Sequence, residues 1–428
     1  MRSWLFCLAW SAAALAAGSA WAEPLSLDAV VKTALSRNER AQIADQSVVS
    51  ADAAVSKARA AFLPSLNLSA GETLRPQEVQ SGGRVVLRDN AASAQLTLSE
   101  TLFNAGSFSL YSAAKHSYEA ARFTHTDTRR QLAFDAARGF FAVVAQQRVL
   151  TAAESRLDLA NATLNDTRVR ASSGLVSSND VTRSEIEHAS AEQSSINAAN
   201  SLDAARLNLG YLIATPTEIN EDLVSPAQSL APADLGLAGL VNVAIATRPD
   251  LAALRASAAS ASASADEPRL RFVPTLTAAA QARATDQQIA PNRYVDTTLT
   301  INFNWAIWDG GSRAGDSDSR NAARIASELQ LRALARRVEI DVRVAVAELA
   351  ASRKSLIAAQ QGQEAARRSE AETAVLYKQG LAKAIELVNG NSSKFEAEVS
   401  VAAAELNVRL AELDLRAALG LFPLDGVQ

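Results

Sequence analysis

Two proline-free spans dominate the pattern of apolar and polar positions. Residues 107–173 contain glycine only at Gly139, and residues 312–379 only at Gly315 and Gly362, while Ala, Leu, Glu, Gln and Arg fill most other positions. An interior proline costs a helix about 3 kcal/mol. Its absence over such lengths predicts two very long helices, each about 100 Å at 1.5 Å per residue. Shorter partner helices are predicted over 180–213 and 387–419. In the first long helix a seam of mostly apolar or small residues advances by alternating steps of four and three. It runs through Leu132, Ala136, Gly139, Val143, Gln146, Leu150, Ala153, Leu157, Ala160, Leu164, Thr167 and Ala171. A matching seam runs through Val338, Val342, Ala345, Leu349, Ser352, Leu356, Ala359, Gln363 and Ala366. A period of 3.5 is that of coiled-coil packing. Heptads do not specify function, and the helices alone fit an antiparallel coiled-coil spacer equally well.

Ahead of each long helix the period changes to two. Ala94, Leu96 and Leu98 alternate with Ser93, Gln95, Thr97 and Ser99; Leu299, Ile301, Phe303, Trp305 and Ile307 alternate with Thr298, Thr300, Asn302, Asn304 and Ala306. Leu66, Leu68 and Ala70, and then Leu276, Ala278 and Ala280, supply a weaker partner strand for each, with polar loops over 72–92 and 284–293. One greasy and one polar face fits a transmembrane barrel, or a half-buried sheet in a soluble domain. Four strands cannot close a barrel, because the smallest use eight. In lipid the open edges would leave backbone groups unpaired, so a membrane reading requires several chains around one cylinder.

These landmarks recur in the same order. Pro64 in Phe62-Leu63-Pro64-Ser65-Leu66 answers Pro274 in Phe272-Val273-Pro274-Thr275-Leu276, an offset of 210. Leu102-Phe103-Asn104-Ala105-Gly106-Ser107 answers Ile307-Trp308-Asp309-Gly310-Gly311-Ser312 at 205, Gly174-Leu175 answers Gly380-Leu381 at 206, and Leu209-Gly210 answers Leu419-Gly420 at 210. The pattern is a tandem duplication. Its seam is the stretch through Pro216, Pro226, Pro232 and Gly239, which divides the chain into repeats over 23–225 and 226–428.

The amino terminus changes the setting. Met1-Arg2, an apolar run over 5–17 and Ala20-Trp21-Ala22 before Glu23 read as a secretory signal over residues 1–22; the alternative is a single membrane anchor, for which the run is short. The only cysteine, Cys7, lies inside that signal and not at the cleavage point that a lipid-anchored protein would need. No later stretch has 18 consecutive apolar residues, so membrane insertion would fall to the strands. With 42 Lys and Arg against 46 Asp and Glu, the formal charge of −4 offers no field for nucleic acid.

With these features together, the chain resembles the TolC-like outer-membrane efflux proteins along its whole mature length. The resemblance rests on the paired Leu-Pro-Ser-Leu-like segments at Pro64 and Pro274, the Leu-Phe-Asn-Ala-Gly and Ile-Trp-Asp-Gly-Gly segments, the Gly-Leu tips and the Leu-Gly helix ends. It implies a mainly α fold of tandem-duplicated antiparallel coiled-coil helices with four strands per chain. Three chains would form an α-helical barrel in the periplasm and share a twelve-stranded β-barrel in the outer membrane of a Gram-negative bacterium. The resemblance also implies a passive duct fed by an inner-membrane transporter of the RND, ABC or MFS type, in efflux or type I secretion. A periplasmic adaptor would dock on the tips at Gly174, Leu175, Val176 and Ser177 and at Gly380, Leu381 and Ala382. By the same resemblance Asp180, Tyr377 and Lys383 belong to a gating network. The family usually has an arginine two residues after the second tip glycine, where this chain has Ala382 with Lys383 beside it. Glu386 and Asn389 match the positions of acidic rings at a pore constriction, the second ring being replaced here by an amide.

Other chemistry finds little footing. His116, His125 and His188 have no partner at metal-ligand spacing, and Gly82-Gly83 and Gly310-Gly311 lack the phosphate-loop context, which leaves no cofactor or metal site. No nucleophilic triad can be assembled, so an enzyme is not expected. The competing class is a periplasmic adaptor or structural coiled coil, although an adaptor normally carries one helical hairpin and this chain carries two.

Overall fold

The computed structural model describes residues 26–82, 84–214, 223, 236–286 and 293–426. The signal over 1–22, and the duplication seam before Gly236 apart from Leu223, lie outside these. One order of elements occurs twice. First come α1 (Leu27–Arg37), α2 (Glu39–Arg59), β1 (Ser65–Leu74), a short hairpin of β2 (Val79–Ser81) and β3 (Arg84–Leu87), β4 (Asn90–Phe103), α3 (Ala105–Ser172) and α4 (Ser178–Leu212). Then follow α5 (Gly236–Thr247), α6 (Pro249–Leu270), β5 (Thr275–Thr285), β6 (Val295–Asn304), α7 (Ser312–Lys378) and α8 (Ala384–Ala418). The long helices α3 and α7 span 68 and 67 residues, within two residues of the proline-free spans at each end.

The heptad seams are where these helices meet. Leu132, Ala136, Val143 and Ala153 of α3 are wholly buried, as are Val338 and Val342 of α7. Nearer the tip, Leu356, Ala359 and Gln363 of α7 are only half-buried. In the half toward the tips, α7 packs on α8, α8 on α3 and α3 on α4, which sets two antiparallel hairpins side by side. Toward the sheet, α2, α3, α6 and α7 follow one another instead. There α3 and α6 approach through small residues. Ser260 Oγ donates to the Ala113 carbonyl at 2.8 Å, and Ser109 Oγ donates to that of Ala263.

The leading helix of each repeat is broken, and both breaks are fastened to the end of that repeat's last helix. Asn38 caps α2 by accepting from the Arg40 amide at 2.9 Å, and its Nδ2 donates to the Leu212 carbonyl at 2.9 Å. In the second repeat Arg248 holds Asp250 at 2.7 Å and Asp341 at 3.1 Å, and donates to the Ala418 carbonyl at 3.4 Å. Pro268 lies within the last turn of α6, which ends at Leu270. A proline at 268 cannot donate to the Ser264 carbonyl one turn back. Arg320 of α7 takes that carbonyl at 3.0 Å, which satisfies the orphaned acceptor and ties the helices together.

The four long strands form one antiparallel sheet in the order β1-β4-β5-β6. The register aligns Leu66 with Leu98, Ala280 and Leu299, and Leu68 with Leu96, Ala282 and Thr297. Period-two geometry therefore gathers the apolar residues on one face and Asn67, Thr97, Gln281 and Thr298 on the other. Glu72, opposite Ala92, lies toward one end of the apolar face, whereas Glu100, level with Ala278 and Ile301, interrupts it ahead of Leu276 and Phe303. On β5 the uninterrupted apolar side runs from Leu276 to Ala284, about 26 Å along the strand at roughly 3.3 Å per residue, close to a bilayer's hydrocarbon depth of about 25–30 Å. Leu66, Leu68, Leu299, Ile301 and Phe303 on that face are at least 65% exposed in the single chain. No single helix among the described residues is long and apolar enough to cross a membrane.

Two details differ from the sequence pattern. The alternation through Trp305 and Ile307 does not continue as strand, because β6 ends at Asn304. Trp305 Nε1 turns to donate to the Phe272 carbonyl at 3.0 Å, and the left-handed Gly310 and Gly311 redirect the chain into α7. The loop over 72–92 is also partly structured: it extends β1 to Leu74 and contains the β2–β3 hairpin, turned at the left-handed Gly82.

Gly420 has φ +74°, and a Cβ there would lie 2.6 Å from Arg248 Cα. Gly420→Ala is expected to cost roughly 2–3 kcal/mol through left-handed strain and overlap with the Arg248 backbone. Loss of helical circular dichroism on heating should occur at a lower temperature, while Gly362→Ala, in open space within α7, should cause no loss.

Candidate functional site

Both hairpins turn by the same device. Helix α3 ends with Gly174 at φ +71°, where the Gly174 amide donates to Ala171 and that of Leu175 to Arg170. Helix α7 ends with Gly380 at φ +77°, with the Gly380 amide donating to Tyr377 and that of Leu381 to Leu376. Such caps satisfy the last carbonyls of a helix and require a left-handed residue, which glycine adopts without strain. Leu175 and Leu381 emerge 73% exposed at the two tips, beside half-buried Val176 and Ala382 and exposed Ser177.

The next helix starts show where the repeats diverge. Ser177 caps α4, and Asp180, at the third helical position, closes a capping box: its Oδ2 accepts from the Ser177 amide at 3.1 Å and hydroxyl at 2.8 Å. Glu386 occupies the corresponding position of α8, but the cap there is Lys383, which makes no capping hydrogen bond. Among the described residues the Glu386 carboxylate has no hydrogen bond or ion pair, and it stands exposed in the first turn. Asn389, one turn on, is exposed too. Lys383 is exposed and joins no acid among the described residues.

Among the described residues Tyr377 makes no direct hydrogen bond with Asp180; Ser184, whose hydroxyl donates to the Asp180 carbonyl at 3.0 Å, stands between them. Tyr377 is 6% exposed, lies in a small apolar cluster with Ala384 and Leu387, and its hydroxyl lies 3.4 Å from Thr167 Oγ1. Thr167 in turn accepts from Ser184 Oγ at 3.3 Å. The Arg170 guanidinium lies 4.7 Å from the Tyr377 ring centroid and 3.5 Å from its carbonyl oxygen, and Asp166 holds Arg170 at 2.8 Å. Burial pushes the Tyr377 hydroxyl above its ordinary pKa; Thr167 and Arg170 oppose that rise and Asp166 adds to it, so the phenol stays neutral.

The heptad reading did not single out Arg170, nor Arg156 two heptads before it. Arg156 is nearly buried and bonds Glu187 at 2.9 Å, Ser194 at 3.2 Å and Ser190 at 3.3 Å on α4, while reaching Ser392 on α8 at 3.4 Å. Arginines at a fixed heptad distance on one helix are a visible signal, but their partners on another hairpin are not.

Comparison with known proteins brings these features together. The sequence model of a family described as "Outer membrane efflux protein" matches residues 30–215 and 240–421. No curated protein matches significantly. Among solved structures, the Campylobacter jejuni CmeC outer membrane channel is similar with a TM-score of 0.82 at 16% identity, covering 92% of this chain and 85% of that one. The open state of the Neisseria gonorrhoeae MtrE outer membrane channel gives 0.78 at 21% identity, covering 92% and 89%. The Vibrio cholerae outer membrane protein VceC gives 0.77 at 17% identity, covering 93% and 97%.

Removing a capping-box acid costs a helix start roughly 1 kcal/mol. Asp180→Ala should therefore speed amide hydrogen exchange over 178–182 and leave exchange at the start of α8 unchanged.

Proposed function

Since this chain belongs to the outer membrane efflux protein family, it is an outer-membrane efflux channel with its helices extending into the periplasm, and we propose that three copies build one duct gated at the helical tips. The observation that carries this reading is the four-stranded sheet, with an exposed apolar face and edges at β1 and β6 that no described strand covers. In lipid each unpaired backbone group costs several kcal/mol, so those edges must find partners. Because the strands alternate in direction, β6 of one copy meets β1 of the next as an antiparallel pair, like every other pair in the sheet. Two copies would give eight strands, a barrel whose interior side chains fill it. Three give twelve, with the polar face lining a lumen.

The helices support the same closure. Near the tips α4 and α7 lie at opposite flanks, and each leaves apolar side chains open: Ile186, Ile196 and Leu207 on α4 and Ile357 on α7 are at least 57% exposed. Neighbouring copies would cover these side chains.

At the tips, three copies of Glu386 around one axis would form a ring that favours cations, with Asn389 a neutral second ring. Asp180, Tyr377 and Lys383 belong to the surrounding gate. The exposed Leu175 and Leu381, flanked by Gly174, Val176, Ser177, Gly380 and Ala382, offer an adaptor two similar docking knobs. An inner-membrane transporter of the RND, ABC or MFS type would then supply the driving force to a passive conduit. The matches offer nothing to the alternative of an adaptor.

Outer-membrane fractions run unheated on a denaturing gel should contain a trimer that collapses to monomer on boiling, and the purified protein should form pores in planar bilayers. A water-soluble monomer without pore activity would overturn the reading. Glu386→Gln should move the reversal potential under a salt gradient toward zero, whereas an unchanged potential would remove Glu386 from the constriction.

A further inference from the structure

Five arginines of α3 cross to the second hairpin in antiparallel order. Arg130 donates to the Ala417 carbonyl at 2.9 Å, Arg138 pairs with Asp414 at 2.6 Å and Arg148 pairs with Glu405. Arg156 then reaches Ser392 and lies 5.1 Å from the Phe395 ring, and Arg170 closes the series on Tyr377. The environments differ along the row. Arg130 and Arg156 are nearly buried with their acids, at 7% and 13% and at 11% and 10% side-chain exposure, whereas Arg170 and Asp166 are 24% and 45% exposed. Truncating a buried, paired arginine strands its acid and is strongly destabilising, whereas a solvated contact can break and re-form. Arg138 with Asp414, at 44% and 40%, and Arg148 with Glu405, at 50% and 33%, are solvated as well, so buried anchors at Arg130 and Arg156 alternate with open contacts, and Arg170 is the open contact that lies beyond the last anchor toward the tips.

Beyond Arg156 toward the tips, the side-chain hydrogen bonds and ring contacts that join the two hairpins among the described residues converge on Tyr377: its hydroxyl with Thr167, its carbonyl and ring face with Arg170. We propose that Arg170 is the latch of the periplasmic gate, gripping Tyr377 by ring face and carbonyl so that the hairpin of α7 and α8 stays against that of α3 and α4 until the grip is released. The proposal rests on reading the tips as a gate. It supplies that gate with a cation from α3, within the same chain, while Lys383 remains without an acid. Asp166, one turn before Arg170, holds the guanidinium in place, which makes Arg170 a positioning residue for Tyr377 and not part of the conducting path.

The test is the resting single-channel conductance of the full-length protein in planar bilayers, with trimer content and thermal dissociation read on the same preparations. Arg170→Ala should raise resting conductance about three- to fivefold, the shift in a two-state equilibrium expected from one partly solvated cation–π contact, with trimer dissociation unchanged. Tyr377→Phe, which keeps the ring and carbonyl, should give a smaller rise. Arg170→Lys keeps the charge but loses the planar stack and should fall between wild type and alanine, and it serves in place of alanine should that variant fail to assemble. Wild-type conductance in both Arg170 variants with intact trimers would overturn the latch, as would a Tyr377→Phe channel as open as Arg170→Ala. Absence of conductance in the wild type as well would instead remove the channel reading beneath it.

Discussion

Backbone amides and carbonyls in hydrocarbon must be paired, and here that requirement meets a sheet of only four strands. The strands pair in turn from β1 to β6 with one register shift between Thr101 and Phe103, their apolar side chains share one face, and the two outer edges lie at opposite ends of one antiparallel series. Under the proposed closure the helical flanks follow the sheet, since the same rotation that brings β6 to a neighbouring β1 brings α7 toward a neighbouring α4. Side chains on the helices can vary widely within that arrangement. Strand number and direction cannot.

The helices of each repeat are coupled by contacts made where regular structure is interrupted. Asn38 and Arg248 each hold a broken leading helix against the far end of its own repeat, and Gly420 lets the backbone of α8's end pass close to Arg248. Asp250 is pushed up by burial and pulled further down by Arg248, so its carboxyl titrates below the ordinary range. A depressed carboxyl contributes stability above its unfolded pKa of about 3.9, which is lost as pH falls through the lower folded value. The break between α5 and α6 is therefore held by charge in the neutral range.

Much of the architecture was legible because it is written in exclusions and periods. The absence of proline located α3 and α7 to within two residues, and the step of 3.5 located their buried faces. The strands were legible as alternation, but Trp305 and Ile307 kept the alternation after the strand had ended, since a side chain's apolarity does not report where its backbone hydrogen bonds stop. The β2–β3 hairpin lay in a stretch whose polar residues read as loop. At the tips, Gly174 and Gly380 were legible because a left-handed cap calls for glycine. Arg170 was not, because arginine is an ordinary helix former and its partner, Tyr377, is more than 200 positions away in the chain.

The two helix starts after those glycines carry a broader implication. Ser177 and Lys383 occupy equivalent places, yet the first ties up the acid three residues on and the second leaves it free. Descent from a common ancestral hairpin then needs little more than one exchanged side chain for the copies to part ways, one acid becoming a rivet of the scaffold and the other left open to solvent. Internal symmetry of this kind is a reserve of evolvability: a duplicated protein can alter its mouth without renegotiating its frame.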